Sequence, residues 1–295
     1  MDSLEPVPFR LLIDRVVPVA RPHFAGAFLA TAAPVAAASV TFAFLQHRTM
    51  TGFIEADPSF AMFGGYVLSI FVLLTVFIAS YSALVIAAME TFDGGDIRIG
   101  RAWAWLFTPR LLWTVFLWTA VSFISLILCV LPAVLMIPLL AFTLNVMVAE
   151  QSYGMDALKR SASLVWSTPT GRPIDSAFLR VCAVFLVGYG IQSGIGLITQ
   201  GPFMALQQYY VLRDAAGGVG DPALALGPLW VQVTAQFFSA ITTAVGWLYW
   251  AFAFSMLYFE LRRRRDGDDL RRALDELTGV TRTQTEAAGA LGATP

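Results

Sequence analysis

Charge is what this sequence has least of. Aspartate, glutamate, lysine and arginine make up 13% of its 295 residues, against about 25% in soluble domains, which excludes an ordinary water-soluble globule. Lysine occurs once, at Lys159, against eighteen arginines, a bias that fits a GC-rich bacterial genome. The net charge of −1 offers no general attraction to nucleic acid. Histidine is limited to His23 and His47, and cysteine to Cys129 and Cys182. Both cysteines lie inside apolar runs and far apart, which excludes a disulfide framework or a zinc site and leaves them as small core residues. No G-x-S-x-G elbow occurs, and the glycines within 214–222 lack the G-x-x-x-x-G-K-[ST] order of a phosphate loop. No catalytic residue, cofactor or metal ligand is therefore expected. What the chain has instead is apolar bulk: 57% hydrophobic residues and a mean hydropathy of +0.69.

A membrane-crossing helix needs about 20 mainly apolar residues. Six segments qualify, at 24–46, 60–89, 111–131, 133–149, 177–199 and 229–258. The fourth is short and holds Pro138 just after Pro132, so a kink or break is expected there; a re-entrant hairpin of the third and fourth segments is the alternative. Seventeen of the nineteen basic residues fall on one side of this arrangement, and only Arg48 and Arg213 on the other. By the positive-inside rule both termini are cytoplasmic. The expected fold is all-α: a polytopic integral membrane protein with six transmembrane helices, N-in and C-in, in a bacterial inner membrane. The first apolar run is long enough to span and is expected to stay in the mature protein.

Amphipathic pieces flank the spans. Phe9, Leu12, Ile13, Val16 and Ala20 follow helical spacing before Pro22, so residues 1–23 are expected to lie in the headgroup plane. Between spans, Glu90, Gly94, Asp96, Ala102, Thr108 and Pro109 recur sixty residues later as Glu150, Gly154, Asp156, Ala162, Thr168 and Pro169. Glu260, Asp266 and Gly267 echo the pattern after the sixth span. The physical meaning is a repeated unit: a span with an acidic end, a glycine turn, a short helix capped by Asp96 or Asp156, and a proline stop. Residues 262–295 combine the arginine run 262–265, a short amphipathic helix and a tail of disorder-prone composition.

Two sets of polar residues stand out in the domain 24–261. Glu90, Glu150 and Glu260 each end an even-numbered span, with Arg101, Lys159, Arg160 and Arg262 nearby as ion-pair partners. They form either structural ion pairs at the interface or a ring that binds headgroups or cations. Asn145, Gln192, Gln232 and Gln236 lie at membrane depth, where the default role is hydrogen bonding between helices and the alternative is a hydrophilic path. No span holds an Asp, Glu, Lys or Arg at its middle, so ion-coupled transport lacks its usual equipment.

Three stretches together resemble a known family. They are Pro8 to Arg15 with Arg21, Pro22, His23 and Phe24; Glu150 followed by Ala157, Leu158, Lys159, Arg160, Ser161 and Leu164; and Tyr258 to Arg262 with Arg265 to Asp268 and Leu270. The family is the membrane domain of glycerophosphoryl diester phosphodiesterase. The resemblance implies a bacterial membrane protein whose motifs are structural and carry no catalytic residues. The catalytic barrel of such a phosphodiesterase is absent from the expectation: His47 and Arg48 are followed by Thr49 where a glycine belongs, and no barrel-length soluble segment exists.

The expected function is that of a non-catalytic subunit or scaffold that docks another membrane or cytoplasmic protein, or a second copy of itself. The alternative is a lipid-handling or transport protein that binds anionic phospholipid headgroups at its cytoplasmic face. No nucleic-acid partner is expected.

Overall fold

The structure is a computed structural model that describes residues 9–54, 60–92, 99–128, 130–166, 176–216 and 228–267. All regular elements among them are helices: α1 (Phe9–Ala20), α2 (Phe24–Ile54), α3 (Phe60–Phe92), α4 (Ile99–Leu106), α5 (Pro109–Leu128), α6 (Val130–Leu139), α7 (Thr143–Glu150), α8 (Met155–Val165), α9 (Ala177–Ala216) and α10 (Leu229–Asp266). A single 3-10 turn, Arg21–His23, joins α1 to α2. Among the described residues, four helices are long and apolar enough to cross a membrane, and five crossings result if the bent unit containing α7 and α8 counts as one.

Helices satisfy their own backbone, which is why a chain this apolar can sit in hydrocarbon. The hydroxyls follow the same rule: Thr31, Thr75, Thr199 and Thr234 each donate to the carbonyl four residues earlier, at 2.7–2.9 Å. The core is built around α10, which packs against α1, α2, α3 and α9. Phe252, Phe254, Leu257 and Tyr258 of α10 are fully enclosed, as are Ala87, Ala88 and Met89 of α3. Alanines let the backbones approach, the packing device on which helix association in lipid depends. Gly188 of α9 does so in the extreme: a Cβ there would lie 1.9 Å from Nε1 of Trp250.

Several helices outrun the apolar windows. α2 continues to Ile54 and α9 to Ala216, through residues expected to be loop. The apolar windows end at or just before Gln46 and Gln200, but glutamine, leucine, methionine and alanine are good helix formers and the backbone does not stop there. α9 even passes Pro202. At 40 residues it is about 60 Å long, twice a hydrocarbon thickness of about 30 Å and longer than one crossing needs.

The fourth apolar segment holds two helices, with the break where one was expected. α6 ends one residue after Pro138, and α7 begins at Thr143. Short-range bonds cross the break, from Ala141 N–H to Pro138 O at 3.2 Å and from Thr143 N–H to Leu140 O at 3.1 Å. After α7 the chain turns sharply, with Gln151 at φ 52° and Gly154 at φ 65°, and α8 leaves at 117° to the segment before it. Only glycine adopts the second of these conformations, φ 65° and ψ −137°, without a clash. Asp156 is not the N-cap of α8: Gly154 is, and Asp156 sits in the first turn, where its charge still favours the positive helix end. Pro109, expected to stop α4, instead opens α5, where its missing N–H costs nothing. Gly94, Asp96, Thr168 and Pro169, the other members of the sixty-residue repeat, lie outside the described residues.

Candidate functional site

The charged ends of α7, α8, α9 and α10 meet at one end of the bundle. Glu150 is the last residue of α7. Its carboxylate is reached from two directions. From α8, Arg160 Nε lies 2.9 Å from Oε2 and 3.2 Å from Oε1. From α10, the buried Tyr258 hydroxyl donates to Oε1 at 2.9 Å, and Arg262, one turn further on, brings Nε to 3.9 Å. Glu150 is thus the knot of three helices. Glu260 takes a different cation: Arg180, at the start of α9, places Nη1 2.8 Å from Oε1. That pair is nearly closed to solvent, with side-chain exposures of 3% for Arg180 and 13% for Glu260.

The sequence-selected groups therefore separate. Glu150, Arg160 and Arg262 come together, and Glu260 joins Arg180 instead. Lys159 and Arg101 are exposed on α8 and α4. Glu90 is half-buried, and its Oε2 has no hydrogen-bond partner among the described residues. Among those residues no three His, Cys, Asp or Glu side chains gather as a metal-binding group. Two arginine-bound carboxylates, Glu150 and Glu260, stand at this end.

Polar side chains also hold the broken span in place. Ser161 of α8 donates to Leu139 O at 2.8 Å and accepts Phe142 N–H at 3.1 Å, so one hydroxyl serves both sides of the break. Thr114 of α5 accepts Gly154 N–H at 2.7 Å. Asn145 is buried in α7 and donates to Ser255 Oγ of α10 at 2.9 Å and to Met89 Sδ of α3 at 3.2 Å. A non-helical stretch survives in an apolar bundle only when its backbone groups find such partners.

The remaining amides of the set lie on α9 and α10. Gln192 Nε2 reaches Thr243 Oγ1 at 3.5 Å, and its side chain fills the space a Cβ would occupy on Gly246. Thr199 and Thr242 share a hydrogen bond at 3.1 Å. Gln232 and Gln236 are half-buried on α10.

Arg180 and Ser255 were not chosen as site residues by sequence, and Tyr258 and Ser161 entered only through the resembling stretches. Tyr258 precedes Arg262 by four residues, the spacing that puts two side chains on one helix face, and that was the available signal. Arg180 carried none beyond its use as a topology charge. No family model, curated protein or solved structure matches the chain at a significant level.

Proposed function

We propose that the protein is a non-catalytic, lipid-handling protein of a bacterial cytoplasmic membrane, which engages anionic phospholipid headgroups at its inner face. The observation that carries this reading is the placement of α8. This short amphipathic helix folds back at 117° from the broken span and is tied to it by Ser161 and by the Arg160–Glu150 pair. A helix so held lies in the plane of the membrane face, with Lys159 exposed on it and Arg262 beside it. Basic side chains there attract anionic lipid by about 1 kcal/mol each. Six crossings with both termini cytoplasmic, and common descent with the phosphodiesterase membrane domain, belong to the same proposal. They rest on the basic-residue asymmetry and on the three resembling stretches.

The scaffold reading has one observation of its own. Met155 and Trp166 of the α8 region and Phe107 after α4 are large apolar side chains left exposed, and such a surface also suits a partner protein or a second copy. Native mass spectrometry of the protein extracted from its own membranes in mild detergent separates the two. Retention of one or two anionic phospholipids, reduced by Lys159→Ala, is the expected result. A stoichiometric protein partner on a lipid-free particle would overturn the lipid reading in favour of the scaffold.

A further inference from the structure

Beside the broken span lies a cavity of about 320 Å³. Phe77, Tyr81, Trp118, Phe185, Trp247 and Phe254 supply most of its wall, and Leu140, Ala141 and Leu144 close it from the break between α6 and α7. We propose that this cavity seats one hydrocarbon chain of a membrane phospholipid. The inference rests on the lipid-handling reading and names the part of the lipid that enters the bundle.

Ring pairs brace part of the wall. Phe77 and Tyr81 both stand edge-on to Trp247, at 5.3 and 5.8 Å between centroids, and Phe185 braces Phe254 at 4.7 Å. Each ring is held by another in a favourable geometry. On the opposite wall the chain departs from helix at the break, and Ala141 presents only a methyl group where a larger residue would occupy the void. An apolar cavity of this kind does not hold ordered water, and left empty its lining loses dispersion contacts. Its size is at the small end of ligand sites, about 300–1,000 Å³, which suits one chain and not a whole two-chain lipid.

Access and direction point the same way. Ile137 of α6 belongs to the cavity lining and is still 41% exposed, next to exposed Leu135 and Met136. The opening therefore faces the side of the bundle where hydrocarbon is the solvent. Trp247, Trp250, Phe254, Tyr258 and Arg262 follow one another on α10 at intervals of three and four residues, so they share one face. Arg262 lies eight residues, or about 12 Å, beyond Phe254 along the axis. A chain seated against Phe254 runs toward the level of Arg262 and Arg160, where the headgroup of the same molecule belongs.

The test is photolabelling of the full-length protein in nanodiscs of phosphatidylethanolamine and phosphatidylglycerol, with a trace of phosphatidylglycerol carrying a diazirine in one acyl chain. Adducts are mapped by proteolysis and mass spectrometry. Expected are adducts on Phe77, Tyr81, Trp247 or Phe254, and their loss in Ala141→Trp, which fills the cavity, with labelling of membrane-facing Leu186 and Leu197 unchanged. Should Ala141→Trp not purify as a monodisperse particle, Ile137→Trp at the exposed rim replaces it, with the same expected loss. Adducts confined to membrane-facing residues, or cavity adducts that persist in a folded, filled variant, would overturn the proposal. A zwitterionic phosphatidylcholine probe separates the two levels. Cavity labelling as strong as with phosphatidylglycerol keeps the chain seat and removes the headgroup preference; preference for phosphatidylglycerol in binding without cavity adducts removes the chain seat alone.

Discussion

α9 and α10 are near twins in sequence terms and opposites in the structure. They have 40 and 38 residues, neither carries a one-sided apolar stripe, and each holds a stretch able to cross a membrane. Yet only 17% of the crossing stretch of α9 is buried within the protein, against 67% for α10. α9 turns Leu186, Leu197 and Ile198 outward, while α10 encloses Phe252, Phe254, Leu257 and Tyr258. In water such a difference would be written as an amphipathic stripe. In hydrocarbon the lipid-facing and protein-facing sides are equally apolar, so the stripe disappears. What distinguishes the central helix is fit: small residues where neighbours approach and polar groups where they can be answered.

Five substitutions sharpen or break this contrast, each checked by reversible unfolding of the purified protein in detergent or bicelles. The largest effect is expected at the charged clasp between the two helices. Arg180→Ala leaves the Glu260 carboxylate nearly buried without this partner, and removing one side of such a pair costs about 3–5 kcal/mol. A change under one-third of that would mean water or another basic side chain replaces the guanidinium. Next is the core of α10: Leu257→Ala should lower stability by about 2–5 kcal/mol through the cavity it leaves. The matched change on α9, Leu197→Ala at a residue 77% exposed, should stay within about 0.5 kcal/mol. Equal losses at the two sites would erase the distinction between core and lipid-facing helix.

Gly188→Ala comes third. The added methyl group must displace the Trp250 indole, and overpacking of this kind costs about 1–3 kcal/mol. Because Trp250 also lines the cavity, the ring has somewhere to go, so the loss should fall in the lower half of that interval, with a parallel decrease in lipid labelling. Gln192→Leu is expected to cost about 0.6 kcal/mol, the average of hydrogen bonds between helices in membranes, little more than the exposed Leu197→Ala. A loss several times larger would assign the Gln192–Thr243 contact a role beyond joining α9 to α10.

Particular residues show where sequence reasoning reaches and where it ends. Pro138 announced the broken span, because a proline withholds an N–H and clashes with the preceding turn whatever surrounds it. Gly154 announced the turn before α8 for an equally local reason, a backbone conformation closed to other residues. Glu150 and Arg160 were legible as partners because a carboxylate at the edge of hydrocarbon needs a cation, and Lys159 and Arg160 lay nine and ten residues on. Asp156, by contrast, was misplaced as a cap: which residue starts a helix depends on where the turn before it closes, and Gly154 closed it two residues earlier. Tyr258 as a third ligand of Glu150, Arg180 as the partner of Glu260, and Asn145 as a bridge to Met89 and Ser255 link positions 56 to 110 residues apart. No local pattern encodes such meetings.

The amino-acid sequence by itself determined the solvent and the secondary structure. Too few charges for water and apolar runs long enough for a bilayer leave helices as the form that satisfies every backbone group. The tertiary structure alone decided which of those helices became the centre, which carboxylate met which arginine, and where a space was left open. Those outcomes depend on the shapes of surfaces brought together from distant parts of the chain, and in hydrocarbon, where burial no longer separates inside from outside, shape and a few polar contacts are what remain to choose among them.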